Sequence, residues 1–192
     1  SRIAELDTVL GGGLVPGSVV LIGGEPGIGK STLLLQAAQE YIFAGKKVLY
    51  VSGEESAAQI ALRAQRLGIT QSSLFVLSET SLEEMLNSIE KLAPDLLIVD
   101  SIQTVYSSGL DSQAGSVGQL RECSYQILGA SKNRNMATFL VGHVTKEGAI
   151  AGPKVLEHMV DVVLYFEATS SHSFRLLKSI KNRYGATNEV GI

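Results

Sequence analysis

"GGEPGIGKST", Gly23 to Thr32, sets four glycines and a proline between the apolar run "SVVLI" and the helix-forming run "LLLQAA". From Gly24 to Ser31 it matches G-x-x-x-x-G-K-[ST] in full, where a strand should end and a helix should begin. Glycines at these positions let successive backbone N–H groups turn inward around phosphate oxygens, and a helix starting near Lys30 adds the positive end of its dipole. The stretch predicts a phosphate-binding loop made of Gly24, Glu25, Pro26, Gly27, Ile28, Gly29, Lys30, Ser31 and Thr32. Lys30 should reach the β and γ phosphates of ATP, and the Ser31 hydroxyl should ligate Mg²⁺.

Outward from this loop, apolar runs alternate with amphipathic stretches: "SVVLIG", then 30–44, "KKVLYVS", 56–67, "LFVLSE", 81–93, "DLLIVDS", 117–134 and "MATFLVGHV". Continuous β-branched and leucine runs suit strands buried on both faces, so the pattern predicts an α/β fold with a mostly parallel sheet sandwiched by helices. Ser81 and Glu84 read as a capping box, Pro94 stops the helix that follows it, and Gly45 and Gly68 close the two earlier helices. After residue 160, "DVVLYFE", the turn-prone "ATSSH" and "SFRLLKSIKNR" predict antiparallel hairpin strands that extend the sheet. The Ser/Gly-rich segment 104–118 and the segment 146–154 follow strands and read as mobile loops at the carboxyl ends where ligand sites of α/β sheets collect.

Bulk properties narrow the function classes. The 192 residues suit one domain, and 45% hydrophobic with 18% charged residues describe a folded chain. A formal net charge of −3 gives no global footprint for nucleic acid, so such contacts must rest on local cations. No apolar run approaches the roughly 20 residues that span a bilayer, so a soluble protein with no membrane partner is expected. Cys123, the single cysteine, excludes an internal disulfide and a multi-cysteine zinc site; it reads as a buried structural thiol in a reducing, cytoplasmic compartment. The start at Ser1 and the stop after "NEVGI" read as a domain cut from something longer.

The remaining polar residues choose among phosphate-loop chemistries. Asp100 ends the apolar strand "DLLIVDS", where a carboxylate can hold Mg²⁺ through its water shell. No glycine follows it three residues on and no N-K-x-D motif occurs, which disfavours GTPases; no arginine-rich lid segment points to a small-molecule kinase. Glu54 and Glu55 in "VSGEES" are candidates to activate water, with Glu54 preferred. His143 in "LVGHVTK" fits either a γ-phosphate sensor or a satisfied strand-end histidine. Lys181 and Arg183 in "IKNRYG", two residues apart on an expected strand, should leave one face and reach a neighbouring subunit's γ phosphate, a contribution on the order of 10³–10⁵ in rate where it has been measured.

Together "ELDTVLGGGLVPGSVVLIGGEPGIGKSTLLLQ", "VSGEES", "LLIVDSIQT", "VGHVTKEGAIAGPKVLEHMVD" and "KNRYG" resemble the ATPase domain of the bacterial RadA/Sms DNA repair proteins, in the wider RecA/DnaB/KaiC group. The resemblance covers essentially the whole chain. It implies a RecA-like ATPase domain over 1–192, a homohexameric ring of the DnaB helicase type, single-stranded DNA in the central channel, branch migration of recombination intermediates, and a RecA recombinase as partner. By that resemblance Lys30 and Ser31 are the phosphate-loop pair, Asp100 the second acidic motif, Glu54 the catalytic glutamate, and Lys181 to Gly185 the K-N-R-F-G motif with Tyr184 in place of phenylalanine. Whole members also carry a four-cysteine zinc module and a Lon-like domain, so this chain is expected to be the ATPase domain alone.

The same comparison points to the two loops for DNA. Lys146 and Lys154 are the basic residues of the second, whereas the first has none and would use backbone amides and Ser or Gln side chains. Tyr106 is the one aromatic there placed for stacking. Two other readings stay open: a KaiC-like signalling ATPase or autokinase without DNA binding, and a nucleotide-gated assembly module.

Overall fold

The computed structural model describes residues 2–69, 73–143, 151–169, 174–187 and 189–192, with backbone only at 151–153. A short helix α1 (Ala4–Leu10) precedes strand β1 (Val19–Gly24), helix α2 (Lys30–Phe43) and strand β2 (Val48–Ser52). Helix α3 (Ala57–Arg66), strand β3 (Leu74–Ser78), helix α4 (Leu82–Leu92) and strand β4 (Leu96–Asp100) follow. A 3₁₀ turn at Ile102–Thr104 leads toward helix α5 (Val117–Arg134) and strand β5 (Ala137–His143). Helix α6 (Ala151–Glu157) and strands β6 (Val162–Ala168), β7 (Arg175–Asn182) and β8 (Val190–Gly191) complete the chain.

Among the described residues, eight strands form one sheet in the order β3-β2-β4-β5-β1-β6-β7-β8. The strands from β3 through β6 pair in parallel, and β7 and β8 each pair antiparallel with the strand before. That is the α/β architecture expected, RecA-like with antiparallel strands at its C-terminal edge. Because both faces are covered, alternate residues of one strand feed two cores. Val20 and Ile22 join the cluster under α1, α2 and α3, whereas Val19 and Leu21 join the cluster under α4, α5 and α6. This is why β1 reads as an unbroken apolar run. Cys123 is buried in the second cluster, and burial first of all pushes its thiol up to about 11, as suits a structural thiol.

Local signals differ in places from the sequence reading. Ser81 caps α4 by accepting from the Glu84 amide, but its hydroxyl donates to Glu83, and the complete capping box is that of Ser56 and Gln59 on α3. The seven residues of α1, fewer than two full turns, carry too little periodicity to stand out as a helix in the sequence.

Segment 104–118 is not the free loop expected. The buried Gln119 accepts from the Ser107 amide at 2.8 Å and donates to the carbonyls of Ser107, Leu110 and Ser112 at 3.0, 3.2 and 3.0 Å. From α4, Glu83 accepts from the Ser107 hydroxyl, the Ser108 amide and the Ser108 hydroxyl at 2.9, 3.0 and 3.1 Å. Side chains of the flanking helices thus satisfy the loop backbone, and composition alone does not reveal them. Tyr106 is pinned through its amide to Thr80 and its carbonyl to Leu82, with its ring exposed.

Segment 146–154 is corrected at its end, since residues from 151 onward are helical and Lys154 stands exposed on α6. Lys146 lies outside the described residues.

Candidate nucleotide site

The parallel register gathers the site at one edge. Gly24 lies beside His143, and Ser52 beside Asp100, so the carboxyl ends of β1, β5, β2 and β4 open onto one cleft of about 350 Å³. Its lining includes Pro26, Gly27, Lys30, Ser31, Glu54, Asp100 and His143, and the size suits a small ligand.

The phosphate loop turns into α2 at Gly29, whose φ of 113° is a conformation that L side chains rarely adopt. Lys30 is buried, and its ammonium donates to the carbonyls of Gly24 and Glu25 at 2.8 and 2.9 Å. Burial lowers its pKa, and the nearby charges of Asp100 and Glu54 oppose that shift. An incoming phosphate would offer this ammonium charged acceptors, which bind it more strongly than two carbonyls do.

Ser31 and Asp100, each expected from the sequence to serve Mg²⁺, touch directly: the Ser31 hydroxyl donates to Asp100 Oδ2 at 2.6 Å. A hydroxyl and one carboxylate form a hard-oxygen set that fits Mg²⁺, which takes its remaining ligands from water and substrate phosphates. In keeping with that sparse set, the described residues hold no cluster of three or more His, Cys, Asp or Glu able to bind a metal by themselves. Bound there, Mg²⁺ would supply charge neutralisation on the phosphate oxygens.

Glu54 and Glu55 separate clearly. Glu54 Oε1 accepts from the Ser101 hydroxyl at 2.9 Å and pairs with His143 Nε2 at 3.2 Å, with about half of its side chain exposed. Glu55 is instead held by an ion pair with Arg63 of α3. The His143 imidazole therefore faces Glu54, a contact that neither reading of His143 from sequence contained. The structure also brings to the loop two arginines that the sequence reading did not single out. Arg63 lines the cleft, and Arg175, at the start of β7, stands so near the loop that a Cβ on Gly29 would lie 3.0 Å from its guanidinium. Neither belongs to a recognisable motif, so only the fold reveals them.

Lys181 and Arg183 lie elsewhere. Asn182 pairs with Val162, which pairs with Val20 at the start of β1, whereas Gly24 at its end is two strands from Leu177. The two cations therefore occupy the opposite edge of the sheet from the phosphate loop. Arg183 falls one residue beyond β7, and both side chains address the turn after α6. The Lys181 ammonium donates to the carbonyls of Glu157, His158 and Val160 at 2.8, 3.4 and 2.8 Å, and burial first lowers its pKa, with the Arg183 charge acting the same way. Arg183 donates to the buried Asp161 at 3.2 Å, with half of its own side chain exposed. Asn182 donates to the Val9 carbonyl of α1 and accepts from the Tyr184 amide. Tyr184 is exposed, so its hydroxyl, absent from phenylalanine, does not have to be accommodated in a core.

A family model of the AAA domain matches residues 1–149, which include the whole cleft. The chain belongs to this family. It is 56% identical over 192 residues to DNA repair protein RadA of Listeria monocytogenes and 61% identical over 188 residues to DNA repair protein RadA of Campylobacter jejuni. Against DNA repair protein RadA of Bacillus subtilis the identity is 55% over 192 residues. The likeness to RadA proteins read from the motifs thus extends over all or nearly all of the chain, which spans 42% of the length of each of these relatives. Membership in the AAA family makes the phosphate loop that of a nucleotide-binding ATPase domain. Among the described residues, no helix is long and apolar enough to cross a membrane.

Proposed function

We propose that this chain is the ATP-hydrolysing motor domain of a DNA repair protein, working as a ring of identical subunits on single-stranded DNA and on branched recombination intermediates. The observation that carries the reading is the separation of the phosphate loop from Lys181 and Arg183. The four residue steps from Leu177 to Lys181 span roughly 13 Å along β7, so the pair stands out of reach of its own loop and suits the site of the next subunit.

Within one subunit, Lys30 binds the β and γ phosphates, and Ser31 with Asp100 would hold Mg²⁺, which would supply charge neutralisation there. Glu54, oriented by Ser101 and His143, takes the proton of the attacking water as its oxygen bonds to the γ phosphorus and the bond to the ADP oxygen breaks. Glu55, engaged by Arg63, is a poorer base in this arrangement. Arg183 and Lys181 of the neighbouring subunit then stabilise charge on the departing phosphoryl group. Lys154, exposed on α6, and Lys146 contact the DNA backbone without reading its sequence. In the whole protein the ring is a hexamer and the partner a recombinase of the RecA type. The names of the relatives and their identity to this chain support the DNA side of this reading.

The test is ATP turnover per chain measured against protein concentration, with and without single-stranded DNA at low salt, where phosphate contacts are strongest. Turnover that rises with both supports a ring motor; turnover indifferent to both refutes it. Phosphate appearing on the protein's own Ser or Thr without DNA binding would favour the signalling kinase instead.

A further inference from the structure

Strand β2, "VLYVS", carries one polar group inside an apolar run: the hydroxyl of Tyr50. The side chain is 1% exposed and sits in the core cluster shared with α2 and α3. A buried phenol must find an acceptor or forfeit its hydration. Tyr50 pairs with Ile98 in the register, and its hydroxyl reaches along β4 to donate to Asp100 Oδ2 at 2.6 Å. The same oxygen accepts from Ser31 at 2.6 Å. Two hydroxyls from two elements therefore fix Oδ2, while Oδ1 takes no hydrogen bond among the described residues and Asp100 lines the cleft. Rotation of the carboxylate would break both contacts.

We propose that Tyr50 is a positioning residue for the metal half of the nucleotide site, orienting the Asp100 carboxylate that the Mg²⁺–nucleotide complex meets. The inference rests on the reading of the cleft as a Mg²⁺–nucleotide site. Phenylalanine would fill the same space in the core, so what tyrosine adds is the donor to Asp100. Partners of this kind, one step removed from a metal, typically change its affinity by 10–100-fold when they are removed.

The experiment is binding of a fluorescent ADP analogue, with Mg²⁺ and with chelator, to the parent chain, Tyr50→Phe, Asp100→Asn and the double variant. The expected result is that Tyr50→Phe loses about tenfold of the affinity gained from Mg²⁺ and keeps chelator affinity within about twofold, and that it costs nothing further in the Asp100→Asn background. A Tyr50→Phe chain with the full Mg²⁺ gain overturns the inference, as does an equal loss in both conditions, the mark of a merely structural role. A further loss in the Asp100→Asn background overturns it as well, since Tyr50 would then act by another route. A parent chain that binds no nucleotide in either condition overturns the reading of the cleft and this inference with it.

Discussion

Lys30 and Lys181 stand at opposite ends of one sheet, the first buried beside Gly24 where β1 ends, the second opposite Val163 near where β6 begins. Each ammonium is satisfied by backbone carbonyls of its own subunit, Lys30 by the phosphate loop and Lys181 by the turn after α6. A single chain therefore carries two cationic elements facing away from each other. A head-to-tail interface between copies would bring them to one nucleotide, and such interfaces close into rings when the rotation permits.

The division of labour between the two glutamates gives a kinetic prediction. Glu54→Gln should lower ATP turnover by about 10²-fold or more while sparing nucleotide affinity. Glu55→Gln should lower it by less than about tenfold, because that carboxylate is committed to Arg63. Steady-state turnover alongside nucleotide titration checks both, and a larger loss in Glu55→Gln would reverse the assignment.

The last residue of "KNRYG" has a steric reason. A Cβ on Gly185 would lie 2.8 Å from the Cα of Gly11, so the backbones that follow α1 and β7 touch. Gly185→Ala should destabilise the fold by about 1–3 kcal/mol, read as a Tm lowered by several degrees, because neither partner is a flexible side chain. An unchanged Tm would show that the contact yields freely.

Acid should reveal how the 107–108 turn is held. Hydrogen bonds from its own amide, the Ser107 hydroxyl and the Ser108 amide bring the Glu83 carboxyl down to about 2 from its usual 4.5. A carboxyl whose pKa is lower in the folded state contributes stability above its unfolded value and loses it as pH falls through the folded one. Glu83→Gln should therefore be less stable than the parent near neutral pH, by about 2 °C in Tm, and the gap should close between about pH 4.5 and 2. A gap that stays constant with pH would assign the loss to packing.

Much of this was legible in the sequence. The phosphate loop, the βα rhythm and the antiparallel edge announce themselves because strands buried on both faces must be continuously apolar, and because a backbone cradle for phosphate excludes side chains. Ser31 and Asp100 were each legible as residues for Mg²⁺, but the hydrogen bond between them was not. Other features depend on partners far away in the chain. The order of segment 104–118 comes from Gln119 and Glu83, the tether of Glu54 from Ser101 and His143, and the reach of Tyr50 to Asp100 from neighbouring strands. Nothing in the local composition of these segments encodes those contacts. Lys181 and Arg183 were found as a pair, but their attachment to Asp161 and to the end of α6 required the sheet's edge to be built first.

Complementation between two inactive chains tests the shared site most directly. Lys30→Ala removes the ammonium proposed to bind phosphate, and Arg183→Gln removes the cation proposed to serve the neighbour while leaving a donor for Asp161. Each variant alone should have little ATP turnover, and Arg183→Gln should still bind nucleotide. In an equal mixture, roughly a quarter of the interfaces join an intact phosphate loop to an intact Arg183, so turnover should return to that fraction of the parent's. A mixture no more active than the average of its two components would contradict a site completed by the neighbouring subunit.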